Sequence, residues 1–396
     1  MISVDEAVAR VVAAFKPLAA EQVGIGDAAG RILAKDATAR LTQPPAPVSA
    51  MDGYAVRAAD AATVPVSLKV IGSAPAGHPF DGRVGKGEAV RIFTGGVVPE
   101  GADTIVIQED TEAGSGTVLI KESPKPNRHI RVAGLDFKQG DTLLRAGHRL
   151  SARDTALLAA ADIAKVPVHR KPRVLIAATG DELSRPGEPH RPGGIVASSV
   201  YGLCAQVDKW GGIPHDIGIL PDRADSIAGI ASHAKDADVI VTLGGASVGD
   251  HDLVQKALGP KGFVLDFWKI AMRPGKPLIF GHLDGTPLLG LPGNPVSSYV
   301  CALLFLKPAI AAMLGETTES SFSEFALTAD LPNNDSRQDY IRARLIRLPG
   351  QTQVEPLPVQ DSSMQRALAE ADALIVRQPH APATSVGDKV KVILLD

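Results

Sequence analysis

The chain has 396 residues, a formal net charge of −3 and a hydrophobic content of 45%. This length is too great for one compact core, so we expect roughly two to four domains. A near-neutral charge without a basic stripe argues against a nucleic-acid surface, and an aromatic content of 4% leaves few platforms for stacking bases.

The cysteine content and the N-terminus both indicate a cytoplasmic protein. The two cysteines, Cys204 and Cys301, lie in apolar helical stretches, which excludes a disulfide framework and fits a reducing compartment. Asp5 and Glu6 argue against a signal peptide. No apolar run reaches the ~18–20 residues that a membrane span requires, so we expect no membrane association.

The N-terminal part of the chain combines helices with a long β-rich stretch. Ser3 and Glu6 form a capping-box pattern that predicts an amphipathic helix to about Phe15. A second helix is predicted over residues 151–163. Between the two helices, residues 44–140 contain short β-like runs separated by glycine and proline turns, which predicts a small all-β module. These runs include VSLKVIG, EAVRIFTGG, DTIVIQED and TVLIKE.

The second half of the chain has the pattern of an α/β domain followed by another β module. Strand-like runs from Arg173 onward alternate with helical stretches, which is typical of a parallel, doubly wound sheet. After Glu316 the pattern returns to short strands, which predicts a small β-barrel or sandwich. The strand-like runs of the α/β part are RVLIAATG, GIPHDIGIL, DADVIVTLGG, PLIFG and PLLGLPG, and its helical stretches are 199–210, 222–234, 252–258 and 295–314.

Three polar, glycine-containing loops follow strands of this predicted sheet. They are ATGDEL (178–183), GGASVGDHD (244–252) and LPGNPVSS (291–298). Ligands of open parallel sheets bind beyond the carboxyl ends of the strands, so we expect the loops to converge on a site. Taken singly, each loop is equally well explained as a tight turn, and Asp181 or Asp252 as a helix N-cap.

The composition of these loops indicates a phosphorylated ligand held with a divalent cation. Backbone amides at glycine turns and helix N-termini attract anions. Carboxylates beside a phosphate would repel it unless a metal lay between them, and Mg²⁺ is commonly held by carboxylates together with substrate phosphates. We therefore expect Glu182, Asp222 and Asp252 to hold Mg²⁺, and Ser247 to donate a hydrogen bond to the ligand.

The segment WKIAMRPGKPLIFG (268–281) adds positive charge beside these loops. Lys269, Arg273 and Lys276 cluster just before a predicted strand. A solvated basic loop is the simpler interpretation. Two or three fixed cations next to glycine-rich loops nevertheless predict a binding site for an oxyanion.

Six segments together resemble one protein family. They are SAMDGYAV (49–56), RIFTGGVVPEGAD (91–103), ATGDEL, GGASVGDHD, RPGKP (273–277) and LPGNPVS (291–297). This set, in this order along nearly the whole chain, resembles the molybdopterin molybdenumtransferases. These are the MoeA-type proteins of molybdenum cofactor synthesis, which are related to the C-terminal region of gephyrin and to its plant counterpart.

The resemblance implies an α/β multidomain fold and an elongated homodimer. It implies that a doubly wound, molybdopterin-binding (MogA-like) α/β domain spans residues 171–315. The N-terminal domain is discontinuous, at 1–43 and 141–170, with a β domain inserted at 44–140, and a β-barrel domain follows at 316–396. The site in such dimers lies where the α/β domain of one subunit faces the inserted domain of the other.

The resemblance also implies the reaction and its participants. Adenylylated molybdopterin and molybdate are the substrates, Mg²⁺ is the cofactor, and molybdenum cofactor and AMP are the products. The implied protein partners are a second copy of the chain, the molybdopterin adenylyltransferase and molybdoenzyme chaperones.

Matching motifs carry the implied site residues onto this sequence. The implied catalytic residues are Asp252, Glu182, Asp52 and Asp136. Those implied to bind the pterin nucleotide are Thr94, Thr179, Gly180, Asp181, Asp222, Gly244, Gly245, Ser247, Lys269, Pro292, Gly293 and Asn294. Those implied to bind molybdate are Arg273, Lys276, Pro277, Ser297, Arg337 and Ser362, and the implied metal ligands are Glu182, Asp222 and Asp252.

The sequence departs from the family pattern at a few positions. Arg273 stands where lysine is usual, and its planar guanidinium binds anions with a different geometry from an ammonium. Ala197 and Ser199 stand where an acid and an asparagine are common. Leu135, next to Asp136, stands where the family often has a second polar residue.

Other functions are alternatives to the one that this resemblance implies. A stand-alone adenylyltransferase or a nucleotide pyrophosphatase would need the α/β domain alone, whereas this chain has long regions on both sides of it. A structural scaffold would not need acids at strand ends. A carrier of the finished cofactor stays open from the sequence, because it would bind the same ligand without cleaving it.

Overall fold

The computed structural model describes residues 1–244, 256–317 and 322–395 of the chain. The α-helices that lie wholly within these residues are α1 (Val4–Ala13), α2 (Ala152–Ala160), α3 (Ser198–Lys209), α4 (Ala224–Ala228), α5 (Pro295–Cys301), α6 (Lys307–Met313) and α7 (Gln365–Ala369).

The strands before residue 170 are β1 (Ala20–Gly24), β2 (Ala37–Thr38), β3 (Val48–Ser49), β4 (Gly53–Val56), β5 (Val66–Ala74), β6 (Glu88–Ile92), β7 (Thr104–Ile107), β8 (Thr111–Ala113), β9 (Thr117–Ile120), β10 (Ile130–Arg131), β11 (Thr142–Leu144) and β12 (Lys165–His169). Those of the α/β region are β13 (Arg173–Thr179), β14 (Leu183–Ser184), β15 (Ile195–Val196), β16 (Ile213–Leu220), β17 (Val239–Leu243), β18 (Phe263–Lys269), β19 (Met272–Arg273), β20 (Pro277–Leu283) and β21 (Thr286–Leu291). The C-terminal strands are β22 (Ser323–Leu327), β23 (Gln338–Leu348), β24 (Gln351–Pro356), β25 (Ala373–Arg377) and β26 (Lys389–Leu394).

The first helix packs its apolar face onto the α/β region. The hydroxyl of Ser3 accepts the backbone N–H of Glu6, which satisfies one of the free amides at the start of α1. Val4, Ala7 and Val11 are spaced three and four residues apart, so they share one face, and all three are buried in the main core. The predicted N-terminal helix is therefore confirmed, and it ends at Ala13.

In the rest of the N-terminal region, strands formed by residues before 40 pair with strands formed by residues after 140. β1 pairs antiparallel with β12, and β2 pairs antiparallel with β11. α2 begins with a reciprocal cap, because the N–H of Asp154 donates to Ser151 Oγ (3.3 Å) and the N–H of Ser151 donates to Asp154 Oδ2 (2.7 Å). Burial is the largest influence on the pKa of Asp154 and raises it. Hydrogen bonds from Ser151 and His148 together outweigh burial and hold that pKa at about 2.

Between these two parts lies a six-stranded sheet with the order β7-β4-β6-β5-β9-β8. Within it, β5 and β6 are parallel and the other neighbours are antiparallel. Tyr54, Val56 and Val118 are buried in its core. The predicted all-β module between the two helices is thus present.

The α/β region is built on a second six-stranded sheet, in the order β16-β13-β17-β21-β20-β18. β16, β13, β17 and β21 are parallel to one another, and β20 is antiparallel to both of its neighbours. Alternate residues of β13 and β17 enter two cores, one on each face. Val174 and Val241 lie in the first core, and Leu175 and Ile240 in the second.

The structure corrects the sequence prediction in three places in this region. β18 was not predicted. The runs PLIFG and PLLGLPG form an antiparallel hairpin, because the two residues that join them, Asp284 and Gly285, both have positive φ, as in the tight turns that connect antiparallel strands. The predicted helix at 222–234 is the short α4 followed by 3₁₀ turns at Gly229–Ser232 and Ala234–Asp236.

The helical segment Pro295–Met313 is long and apolar enough by composition to cross a membrane. It comprises α5, a π-helical turn over Ala302–Leu306, and α6. About 67% of its apolar window is buried inside the protein, where Val300, Phe305 and Ile310 are completely enclosed. The burial identifies it as the central helix of the main core.

The C-terminal strands close into a five-stranded barrel. The order β23-β24-β22-β26-β25 is completed by a further pairing between β25 and β23. β19 belongs to the α/β region in sequence but pairs with β23, so that Arg273 lies opposite Asp339. The barrel is thus attached to the α/β region by a strand pairing. The sheets are consistent with the four predicted domains, whose boundaries stay a prediction.

Candidate functional site

The loops after β13 and β21 meet Gly244, the first residue of the loop after β17, at the carboxyl edge of the α/β sheet. β13, β17 and β21 are neighbours, and the N–H of Gly244 donates to the carbonyl of Leu291 (3.1 Å). Gly244 has a φ of +94°, and a Cβ there would lie 2.6 Å from the carbonyl oxygen of Thr179. A Cβ on Gly293 would lie 3.5 Å from the Cα of Gly244. The predicted convergence is therefore present for the described residues of these loops, and it requires glycine at residue 244.

Two buried threonine hydroxyls lie beneath this edge. Thr179 ends β13 and is 4% exposed, and Thr242 in β17 is 1% exposed. Within the described part of the chain, neither Oγ1 has a hydrogen-bond partner. Buried hydroxyls are almost always satisfied in native proteins, so an unsatisfied pair beside a binding edge suits a polar ligand. Thr179 was among the predicted residues, whereas Thr242 was missed because it looks like an ordinary strand residue.

The acids of the first loop border a pocket of about 270 Å³. Asp181 and Glu182 are exposed and line this pocket together with Ser184 and Arg191. The N–H of Asp222 donates to Asp181 Oδ1 (3.3 Å), which connects the loop after β16 to the loop after β13. Two of the predicted sheet-edge acids are therefore neighbours, and neither is a helix N-cap.

The metal prediction is supported by donor chemistry alone. Glu182 and Asp222 are exposed carboxylates, which are the hard oxygen ligands that Mg²⁺ prefers. No group of three histidine, cysteine or acidic side chains suited to a metal occurs among the described residues. The third predicted ligand, Asp252, lies outside them, as do Gly245 and Ser247.

A second pocket, of about 500 Å³, lies between the α/β region and the barrel. All six residues predicted to bind molybdate line it, and they are Arg273, Lys276, Pro277, Ser297, Arg337 and Ser362. Lys276 comes from the turn before β20 and Ser297 from the first turn of α5. Lys269 is not in this lining, and its ammonium lies 3.7 Å from the centroid of the Trp268 ring.

The arginines of this pocket form ion pairs with two acids, Asp335 and Asp339, which were not among the predicted site residues. Arg273 pairs with Asp339 and, at 3.3 Å, with Asp335. Arg337 donates to Asp335 at 2.8 Å, and this contact is the main reason that the pKa of Asp335 lies at about 2. By contrast, the ammonium of Lys276 forms no ion pair with any described residue.

The pocket and the sheet edge are joined by one loop contact. Asn294 Nδ2 donates to Ser362 Oγ (3.0 Å), and the N–H of Val296 donates to the carbonyl of Ser362 (3.0 Å). Pro292 and Gly293 precede this contact at the sheet edge. The loop LPGNPVSS therefore contributes to both sites, one through Gly293 and the other through Ser297.

In the inserted β domain, Asp52 and Thr94 form a pair. Asp52 Oδ1 accepts the N–H of Thr94 (2.7 Å) and its hydroxyl (2.8 Å). These two bonds, the backbone one first, lower the pKa of Asp52. An Asp-Gly pair such as Asp52-Gly53 is a common hairpin turn, but MDGYAV does not form a hairpin, because β3 pairs with β10 while β4 pairs with β6 and β7. Asp136 is exposed on a separate loop, where its N–H donates to the carbonyl of Gln43 (3.1 Å).

The positions that depart from the family pattern lie in different settings. Ala197 is buried at the N-terminal end of α3, where it supplies no side-chain cap. Ser199 is half-buried in the first turn of that helix. Leu135 is 60% exposed beside Asp136. Cys204 is partly buried and Cys301 is fully buried, and both are free thiols.

Comparison with known proteins covers the whole chain. Residues 2–161 match the MoeA N-terminal region (domain I and II), 175–312 a probable molybdopterin binding domain, and 324–395 the MoeA C-terminal region (domain IV).

Among curated proteins, the molybdopterin molybdenumtransferase of Haemophilus influenzae is 35% identical over 99% of this chain and 98% of its own length. That of Bacillus subtilis is 37% identical over 100% and 94%, respectively. The crystal structure of a molybdopterin biosynthesis moeA protein from Pyrococcus horikoshii OT3 superposes with a TM-score of 0.88 at 28% identity, with both chains fully covered. The chain described here belongs to the MoeA family of molybdopterin molybdenumtransferases.

Proposed function

We propose that this chain inserts molybdate into adenylylated molybdopterin and releases AMP, in a reaction that depends on Mg²⁺. The observation that carries the proposal is the pocket beside the barrel, in which all six residues expected to bind molybdate lie together. They come from distant parts of the sequence, so their convergence is not a consequence of local chain order. The names of the relatives support the same activity.

The oxyanion is bound in this pocket by cations and hydroxyls. Lys276 supplies a charge that no described acid neutralises, and Ser297 and Ser362 supply hydroxyl donors. Arg273 and Arg337 add donors, although each is also paired with a carboxylate. An anion that enters therefore competes with protein acids for the guanidinium groups, which favours a dianion over a weaker monoanion.

The nucleotide end of the pterin substrate is bound at the glycine edge of the sheet. Gly244 and Gly293 have no side chains, so the phosphates can approach the backbone closely at this edge, and Thr179 offers its unsatisfied hydroxyl. Glu182, Asp222 and Asp252 would hold Mg²⁺, which would supply positive charge to offset that of the phosphoanhydride. Asp181, whose carboxylate accepts the N–H of Asp222, keeps the two acidic loops together.

A second copy of the chain completes the site. Asp52, Thr94 and Asp136 lie in the inserted domain, and the described hydrogen bonds of the Asp52 side chain run to Thr94 alone. In the homodimer, these residues face the sheet edge of the partner. We place this dimer in the cytoplasm, where it receives substrate from a molybdopterin adenylyltransferase and passes the product to molybdoenzyme chaperones.

The competing function is that of a carrier that binds molybdenum cofactor without cleaving any bond. The measurement that separates the two is AMP release from adenylylated molybdopterin by purified protein, with and without molybdate and with and without Mg²⁺. Release that requires both ions, together with a product that reconstitutes a cofactor-free molybdoenzyme, supports the transferase. Tight binding of the pterin nucleotide with no AMP release supports the carrier. Asp252→Asn should abolish release and leave the dimer intact.

A further inference from the structure

Arg342 lines the pocket of Lys276 and Ser362, although nothing in the sequence singled it out. It lies in β23 and is 1% exposed, the largest of the fully buried side chains that the structure describes. A buried guanidinium is costly unless its donors find acceptors, so the acceptors indicate what the residue does.

The donors of Arg342 are directed at one loop. Nη2 donates to the carbonyl of Asp361 (2.9 Å), Nη1 to the carbonyl of Met364 (3.4 Å), and Nε to Gln360 Oε1 (3.4 Å). Gln360 completes the arrangement by donating from Nε2 to the carbonyl of Arg342 (3.0 Å). The backbone on both sides of Ser362 is therefore fixed by a single side chain.

The positive charge of Arg342 differs from that of the two other arginines in the pocket. Each of those is paired with a carboxylate, whereas Arg342 forms no ion pair with any described residue. Burial is the main influence on its pKa and lowers it, and the carboxylate of Asp361 only partly opposes this effect. A charge in the interior acts more strongly on its surroundings, and is screened less by salt, than an exposed one.

We propose that Arg342 is a positioning residue of the oxyanion site. It holds Ser362 in place, and its positive charge, buried in the wall of the pocket, attracts the anion. The inference rests on the proposed function, because it takes this pocket to be the one that binds molybdate. Since the guanidinium is turned towards loop carbonyls, it acts through Ser362 and through its field, without touching the anion. A purely structural arginine would instead stabilise the barrel and leave anion affinity unchanged.

Calorimetric titration of the full-length protein with sodium molybdate tests this inference without the pterin substrate. Arg342→Gln removes the charge and should raise the Kd at least ~tenfold. Arg342→Lys keeps the charge, although it cannot reach all the acceptors, and should stay within ~threefold of the wild-type Kd. Arg347→Gln is the matched control, because Arg347 is exposed on the same strand outside the pocket, and it should leave the Kd unchanged. Circular dichroism and thermal unfolding report whether each variant is folded.

A folded R342Q protein that binds molybdate as tightly as the wild type would overturn the proposal. The same holds if R342K loses as much affinity as R342Q, since the charge would then have no role. Should R342Q fail to fold, Gln360→Glu takes its place, because a carboxylate there would pair with the buried charge. That variant should raise the Kd ~tenfold, and an unchanged Kd would overturn the proposal. A wild-type protein that binds no molybdate would contradict the proposed function itself, so the two failures are distinguishable.

Discussion

Replacing Lys276 by alanine should weaken the use of molybdate selectively. Lys276 is exposed at the pocket and has no ion-pair partner among the described residues, whereas the arginines are held by Asp335 and Asp339. A unit charge ~4 Å from a dianion in a water-like environment contributes about 2 kcal/mol. Ordering a lysine side chain costs part of this, which leaves ~1–2 kcal/mol, or a change of about tenfold in affinity.

The assay is AMP release as a function of molybdate concentration at a saturating concentration of adenylylated molybdopterin. For Lys276→Ala, the KM for molybdate should rise about tenfold, while binding of the pterin nucleotide without molybdate should change less than ~twofold. Lys261→Ala is the control, because Lys261 is an exposed lysine of the turn before β18 and lies outside both pockets. Equal losses for molybdate and nucleotide, or an unchanged KM, would refute the proposed division between the two sites.

Three further predictions concern other parts of the molecule. Asp52→Asn should lower the rate of AMP release about 100-fold without changing the melting temperature, because asparagine keeps an oxygen that can accept hydrogen bonds from Thr94. An unchanged rate would mean that Asp52 serves only to hold Thr94. Asp154→Asn should destabilise the protein above about pH 4, and this difference should vanish as the pH falls towards 2, because the folded-state pKa of about 2 lies below the unfolded one. Chemical unfolding of both proteins across this pH range tests the prediction, and a difference independent of pH would contradict it. Arg149→Ala should lower the free energy of unfolding by ~2–4 kcal/mol, measured by thermal or chemical unfolding, because it leaves the largely buried carboxylate of Glu316 without its bidentate partner. A decrease below ~0.5 kcal/mol would show that this contact behaves like an exposed pair.

The arrangement of the sheet-edge loops could be predicted from the sequence because it follows from a general rule. Parallel strands place their carboxyl ends on one edge, so any three loops after neighbouring parallel strands must meet there. The close approach of Gly244 to Thr179 follows from the same geometry. What the rule could not give was the direction of β20. That direction is instead indicated by the Asp284-Gly285 pair, a hairpin turn that reverses the chain.

The oxyanion pocket illustrates the opposite case. Local sequence indicated its cations near residue 273, but the assignment of Arg337 and Ser362 came from the family resemblance. Asp335 and Asp339 were missed because their partner Arg273 is more than 60 residues away along the chain. No local sequence pattern predicts the pairing of Arg273 with these acids, which exists only because β19 pairs with a strand of the barrel.

Arg342 could not be recognised for a related reason. Its sequence surroundings, YIRARLIRL, place three arginines at alternating or nearby positions of one strand. Alternation predicts that some of them face inward, but it does not say which one is buried. Burial of Arg342 is decided by the loop that wraps around it after residue 357, and only the folded structure reveals that loop.

The most direct test of the central claim is to locate the anion in the protein. Crystals grown or soaked with molybdate, or with tungstate as a heavier substitute, give an anomalous signal that marks the metal atom. We expect a peak in the pocket lined by Lys276, Ser297 and Ser362, with the Arg337 guanidinium turned towards it and away from Asp335. A peak confined to the glycine edge near Gly244, with the barrel pocket empty at saturating anion, would contradict this expectation.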